Sequence, residues 1–324
     1  MLAIVCPGQG AQKPGMLTPW LEVPGLAELL GRFSERAGLD LRRLGTEADA
    51  EEIKDTAVTQ PLIVAASLLG AARLAVPPGG VVAGHSVGEL AAAAVAGVLA
   101  PADAVALAGV RGRAMGAACA EAPSSMAAVM GGDPDAVTEV LTGMALTPAN
   151  VNGAGQIVAA GATAAIEALV AEPPVGTRVI ALPVAGAFHT AFMEPARPAL
   201  GEALAALTPR DPDRPLLTNA DGSVVDGGRA FLDLLGAQVT RPVRWDRCMA
   251  TLAALGVTGV LELPPAGTLV GLVKRELGGK TAERPVETFA LKTPDDLDTA
   301  AEFVARHAEP RQSDTDHETA EVPA

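Results

Sequence analysis

The sequence predicts an α/β protein: a large domain built on a parallel sheet, carrying a smaller inserted α/β unit. Three observations lead there. Short apolar runs, at 2–6 and again at 81–83, each give way to Pro/Gly punctuation or a tight turn and then to helical periodicity, the alternation that builds parallel sheets covered on both faces. The stretch 126–182 changes rhythm and reads β-α-β-β-α-β, the ferredoxin-like unit. The 35 glycines and 26 prolines fall between periodic segments instead of forming a repeat, as many short elements require. A length of 324 residues suits one large domain with an insert. With 49% hydrophobic residues but only 2% aromatics and no tyrosine, the core must be built from Ala, Val and Leu.

Taken in order, LAIVC (2–6) reads as a buried strand stopped by Pro7 and Gly8. Helical patterns follow over 25–37 and 60–75. The second strand is 81–83, and helices cover 87–99 and 101–118. In the middle, strand 126–130, helix 134–141, strands 146–151 and 156–160, helix 163–170 and strand 178–182 make up the insert. A helix near 191–207 and strands near 215–217 and 257–263 resume the large domain. The expected division is therefore 1–125 and 183–307 for the large domain and 126–182 for the insert. Residues 308–324, polar, acidic and without period, are expected to be a disordered tail.

Charge and cysteine use narrow the function. A net charge of −14 repels nucleic acid and anionic membrane, which argues against both as partners. An anionic substrate would need a local basic group or a buried arginine. Three cysteines, Cys6, Cys119 and Cys248, without C-x-x-C spacing, read as free thiols of a reducing cytoplasm. The apolar start is too short for a signal peptide and has no charged leader. The apolar stretch 90–101 is too short to span a bilayer.

The stretch VVAGHSVGELAAAAVAGVLA (81–100) carries G-x-S-x-G between a strand and a helix, the context in which that motif forms a nucleophile elbow. The turn is so sharp that small residues are needed on both sides, giving Gly84 and Gly88 a steric reason. Ser86 would then sit at a helix N-terminus, with the Val87 N–H placed to donate to a developing oxyanion. A serine in this position can equally be a helix N-cap. A reactive serine needs a base. Of the four histidines, His317 lies in the tail, His307 borders it, and His85 points away from its neighbour Ser86. His189, in VAGAFHTAFMEPA, is left as the candidate, with a structural helix-start histidine as the alternative. Asp103, Asp133 and Asp135 lie between serine and histidine, but none follows an obvious strand.

Several motifs in series resemble the malonyl-CoA:acyl carrier protein transacylases and the acyltransferase domains of polyketide synthases. They are PGQGAQ (7–12), TQP (59–61), GHSVGEL (84–90), Arg111 and Gly112 with Met115, NGAGQIVAAG (152–161), GAFHT (186–190), PVRW (242–245) and GTLVGLVKR (267–275). The series covers the chain except the tail. It is most similar to the free-standing actinobacterial type that serves fatty acid or aromatic polyketide synthesis. The resemblance implies a large α/β-hydrolase-like domain and a Ser86–His189 dyad, the backbone carbonyl of Gln238 orienting the histidine. It places Gln9 and Val87 at the oxyanion hole, Arg111 on the malonyl carboxylate, and Gln60, Asn152 and His85 among the pocket residues. Phe188, just before the histidine, goes with malonyl over α-methyl substrates. Two departures stand out: PPAG (264–267) replaces a G-P-G-G turn, and Ala191 and Phe192 follow GAFHT where a basic or polar residue is usual.

The implied reaction is ping-pong transfer of malonyl from malonyl-CoA to the phosphopantetheine thiol of acyl carrier protein, in the cytoplasm, with no metal and no tightly bound cofactor. Carrier proteins are acidic, so docking would use a local basic cluster, with Lys274 and Arg275 as candidates. Three other readings stay open: a thioesterase, a catalytically silent carrier-binding module, and a methylmalonyl-CoA or other acyl-CoA acyltransferase.

Overall fold

The computed structural model describes residues 1–278 and 285–308. It contains two sheets. The large one has the order β2-β1-β8-β9, from β1 (Leu2–Cys6), β2 (Val81–Gly84), β8 (Gly259–Glu262) and β9 (Glu287–Ala290), and every neighbouring pair is parallel. β1, β2 and β8 are buried along their whole length, which is why β1 and β2 read as unbroken apolar runs instead of alternating ones, while β8 ends in the buried Glu262. The strand expected near 215–217 is reduced to single bridges, Leu216 beside Val82 and Leu217 opposite Val224.

The small sheet has the order β6-β3-β5-β4-β7. β3 (Ser124–Gly131), β4 (Thr147–Gly153), β5 (Gln156–Ala162) and β6 (Thr177–Ala181) pair antiparallel. With helices Pro134–Gly143 and Thr163–Ala171 they make the ferredoxin-like arrangement. Alternation divides β3: Ala127 and Val129 pack under those helices with Leu141 and Ile166, while Met126 and Ala128 face the cleft between the two sheets. The insert begins earlier than the apolar pattern suggests, because Ser124 and Ser125 already pair with Ala162 and Gly161. It also gains a fifth strand from outside its segment: β7 (Val243–Arg244) pairs parallel with β4 and ties the two sheets together.

Helix ends differ where caps or glycines decide them. The helix expected from residue 60 starts at Thr56, because the Asp55 side chain accepts from the Ala57 N–H. The helix after the serine stops at Val95, short of the expected 99, and Gly97 turns the chain with φ +77°. The helix expected over 191–207 begins as a 3₁₀ turn, Ala191–Ala196, before becoming α over Arg197–Ala205, with Pro195 inside the turn. Helices Gly228–Gln238, Trp245–Ala254, Thr268–Glu276 and Leu297–Ala308 complete the large domain. Of the expected tail, Ala308 ends the last helix and the rest lies outside the described residues.

Two close approaches place the site. A Cβ on Gly84 would lie 2.1 Å from the Gly88 carbonyl carbon, and one on Gly88 would lie 2.2 Å from the Cys6 carbonyl oxygen. The elbow therefore closes only with glycine at both positions. At Gly112 a Cβ would come within 2.6 Å of the Thr56 carbonyl oxygen. Its absence lets helix Pro101–Glu121 cross helix Thr56–Ala71 closely enough to bring Arg111 to Gln60.

Candidate active site

The site lies beyond the carboxyl ends of β1 and β2, where ligands of open parallel sheets are usually held. β2 runs into the elbow, and Ser86 is forced to φ +54°, in the left-handed region. Its Oγ is 2.8 Å from His189 Nε2. His189 also has a left-handed backbone, φ +62°, and its Nδ1 is 2.9 Å from the backbone oxygen of Gln238. That carbonyl can only accept, so Nδ1 carries the proton and Nε2 is free to accept from the serine. Gln238 is the last residue of helix Gly228–Gln238, where carbonyls are left without helical partners. The three aspartates between serine and histidine play no part: Asp103 pairs with Arg36, and Asp133 caps the helix that contains Asp135.

Arg111 is almost wholly buried, at 1% exposure. Its Nη1 donates to Gln60 Oε1 at 2.7 Å, and its Nη2 donates to Gln238 Oε1 at 2.9 Å and to Ser86 Oγ at 3.3 Å. The guanidinium thus forms the floor beneath the serine, aimed by two neutral amides. Its Nε has no partner among the described residues. Gln60 Nε2 in turn reaches Gln9 Oε1 at 3.3 Å. No described group accepts from the main-chain N–H of Gln9 or of Val87, so both donors are available beside the serine.

The cleft above has a volume of about 230 Å³. Gly8, Gln9, His85, Ser86, Phe188 and His189 line one side of it, and Met126, Asn150, Asn152 and Gln156 of the small sheet line the other. His85 Nε2 is 2.9 Å from Asn152 Oδ1 and the ring meets Trp245 edge-on, while Asn152 Nδ2 donates to Gln156 Oε1. The first two turns of helix Thr268–Glu276 close the cleft with Thr268, Leu269 and Leu272. The departure at PPAG is accommodated there by Gly267 at φ +141°, and the buried Glu262 carboxylate accepts from the N–H groups of Gly267, Leu269 and Val270. A larger open depression, about 660 Å³ and lined by Glu51, Lys54 and Arg113, includes neither Ser86 nor His189 in its lining.

Burial dominates the electrostatics. It and the Arg111 charge pull His189 down from 6.5 to about 3, so the imidazole is neutral at physiological pH. Desolvation draws Arg111 down to about 10, still charged, with Glu89 opposing the shift. Glu89, completely desolvated, is pushed up. Its oxygens accept from the Asn219 N–H and from Gln238 Nε2.

The structure gathers Ser86, His189, Arg111, Gln60, Gln238, Gln9 and Val87 around one point and sets Asn152, His85 and Phe188 along the cleft. Lys274 and Arg275 stand apart, exposed at the far end of the helix that closes the cleft. His307 packs against Gly259 and bonds Thr258, away from the site. His317 lies outside the described residues. Sequence reasoning passed over Glu89, in the motif GHSVGEL itself, and Asn219, whose signal is TNADG at 218–222. Among the described residues, no three His, Cys, Asp or Glu side chains converge as a metal site.

This geometry can activate an alcohol, hold an oxyanion and receive a carboxylate. Residues 3–309 match the acyl transferase domain family. The Mycobacterium tuberculosis protein named malonyl CoA-acyl carrier protein transacylase is 53% identical over 306 residues, covering 93% of this chain and 99% of its own. The crystal structure of MCAT from Mycobacterium tuberculosis superposes with a TM-score of 0.89 at 52% identity, over 93% of this chain and 99% of that one. A type II polyketide synthase acyl-carrier protein has been solved in complex with its malonyl-transacylase. That transacylase matches with a TM-score of 0.86 at 30% identity, over 93% and 99% of the two chains.

Proposed function

Because the chain belongs to the acyl transferase domain family, we propose that it moves the malonyl group from malonyl-CoA to the phosphopantetheine thiol of acyl carrier protein through a seryl ester. The observation that carries this reading is the contact of Ser86 Oγ with both His189 Nε2 and Arg111 Nη2: a base and a carboxylate receptor meet on one nucleophile.

Each group then has a role. His189 Nε2 takes the proton as Ser86 Oγ attacks the thioester carbon. The N–H groups of Val87 and Gln9 receive the oxyanion, each worth on the order of 10²–10³ in rate. The tetrahedral adduct expels the CoA sulfur, which takes the proton back from His189. The malonyl carboxylate settles on Arg111, whose planar fork suits a carboxylate, with Gln60 holding the guanidinium. The carrier's thiol repeats the sequence in reverse. Phe188 beside the histidine leaves little room for an α-methyl branch, while Asn152 and His85 line the path of the pantetheine arm. All these groups come from the chain, so the reading asks for no tightly bound cofactor. The large unit, 1–125 with 183–307, supplies the nucleophile and base, and the small one, 126–182, supplies the opposite wall. The three cysteines are free, and no helix among the described residues is long and apolar enough to cross a membrane. The free thiols support a cytoplasmic site of action.

Product analysis tests the reading. Purified protein given malonyl-CoA and holo carrier should yield malonyl-carrier in excess of free malonate. Malonate as the main product would make it a thioesterase.

A further inference from the structure

We propose that Asn219 is a positioning residue for the nucleophile: it pins the strained main chain of Ser86 from both sides and ties it to the residue that orients His189. The inference rests on the seryl-ester reading above and adds a group to it.

Asn219 is fully buried and each of its polar groups is committed. Its Oδ1 accepts from the Ser86 N–H at 2.7 Å, and its Nδ2 donates to the Gly84 carbonyl at 2.7 Å. One amide thus brackets the elbow across the residue held at φ +54°. A left-handed non-glycine residue costs about 1–3 kcal/mol and persists only where its surroundings over-determine it; these two bonds supply that constraint. The bracket also decides which donors face the substrate. With the Ser86 N–H spent on Asn219, the Val87 N–H, which has no acceptor among the described residues, is the elbow donor left for the oxyanion.

Asn219 is itself held. Its N–H donates to Glu89 Oε1 at 2.5 Å, and its carbonyl accepts from the Arg244 N–H at 2.8 Å. Glu89 Oε2 accepts from Gln238 Nε2 at 2.6 Å, and that nitrogen also lies 3.2 Å from Asn219 Oδ1 and 3.2 Å from the Ser86 carbonyl. The same Gln238 offers its backbone oxygen to His189. The nucleophile and the base, 103 residues apart in sequence, are therefore fixed to one buried network, and Asn219 is its contact with the elbow.

The test compares Asn219→Ala and Asn219→Asp with wild type in single-turnover acylation by malonyl-CoA. Affinity for malonyl-CoA and the melting midpoint are measured alongside. Alanine should slow acylation about 100-fold, the cost of a misplaced reacting group, with affinity within about threefold of wild type. Aspartate keeps the acceptor for Ser86 but offers a donor to Gly84 only when protonated. The groups around it are Glu89, Arg111, His189 and Cys248, and burial favours its neutral form. Its acylation rate relative to wild type should therefore rise as the pH is lowered. Acylation of the alanine variant within threefold of wild type would overturn the proposal. So would equal losses of rate, affinity and melting midpoint in both variants with a ratio flat in pH, the mark of a purely structural residue. Should the alanine variant not fold, the pH dependence of the aspartate variant decides alone. Failure of wild type itself to acylate would count against the seryl-ester reading instead.

Discussion

His189 is buried with a neutral ring, one nitrogen on the Gln238 carbonyl and the other on Ser86. Its value, pulled from 6.5 to about 3 by burial and by Arg111, has a direct kinetic consequence. The base form persists as the pH falls through the ordinary histidine range. Pre-steady-state acylation should therefore hold its rate from about pH 8 to about pH 5, and a decline centred near 6.5 would contradict the buried, neutral base. The linkage to stability has a matching sign. The folded value lies below the unfolded one, so this histidine's contribution is intact above 6.5 and is lost as the pH falls toward 3. Arg111 makes a second prediction. Arg111→Ala should cut the preference for malonyl-CoA over acetyl-CoA by roughly 100-fold, the value of two charge-assisted hydrogen bonds at about 1.5 kcal/mol each. Ratios of kcat/KM for the two thioesters measure it, and an unchanged preference would place the carboxylate elsewhere. Residues with chemistry in the side chain were legible: a serine in a glycine elbow, and a histidine left by elimination. Gln238 came only through resemblance, since a backbone carbonyl leaves no mark on the sequence. Asn219 was missed because its partners are main-chain atoms brought together by folding.

At the level of elements, the crossing of helices Thr56–Ala71 and Pro101–Glu121 carries Gln60 and Arg111 into contact. Gly112 is the point of closest approach. Adding a methyl 2.6 Å from the Thr56 carbonyl oxygen overpacks that crossing, at a cost of about 1–3 kcal/mol. Gly112→Ala should lower the melting midpoint and raise KM for malonyl-CoA; a variant with wild-type values of both would show that the crossing does not set Arg111. Periodicity located the strands β1, β2 and β8 and the whole order of the insert, because buried parallel strands and short alternating ones leave strong patterns. It failed where other physics sets the element. The cap at Asp55 extended a helix, and a 3₁₀ turn replaced the start of another. Two-residue β7 exists only because β4 offers it an edge.

Over the whole molecule, the net charge of −14 opposes docking of an acidic carrier, so docking calls for a local group of cations. Helix Thr268–Glu276 closes the cleft with its first two turns and presents Lys274 and Arg275 at its last. Lys274→Glu with Arg275→Glu should raise KM for carrier about tenfold and leave acylation by malonyl-CoA unchanged; equal KM values would move the docking face away from this helix. The two-sheet architecture was readable from the sequence, yet the cleft was not, since its lining comes from segments far apart in the chain, from Gly8 to Leu272. The proposed transfer depends on Ser86 becoming the site of the acyl ester. Intact-mass measurement after mixing with malonyl-CoA should show a single malonyl adduct on wild type, none on Ser86→Ala, and its discharge on addition of holo carrier. Wild type that stays unmodified, or an adduct that survives the Ser86→Ala change, would contradict it.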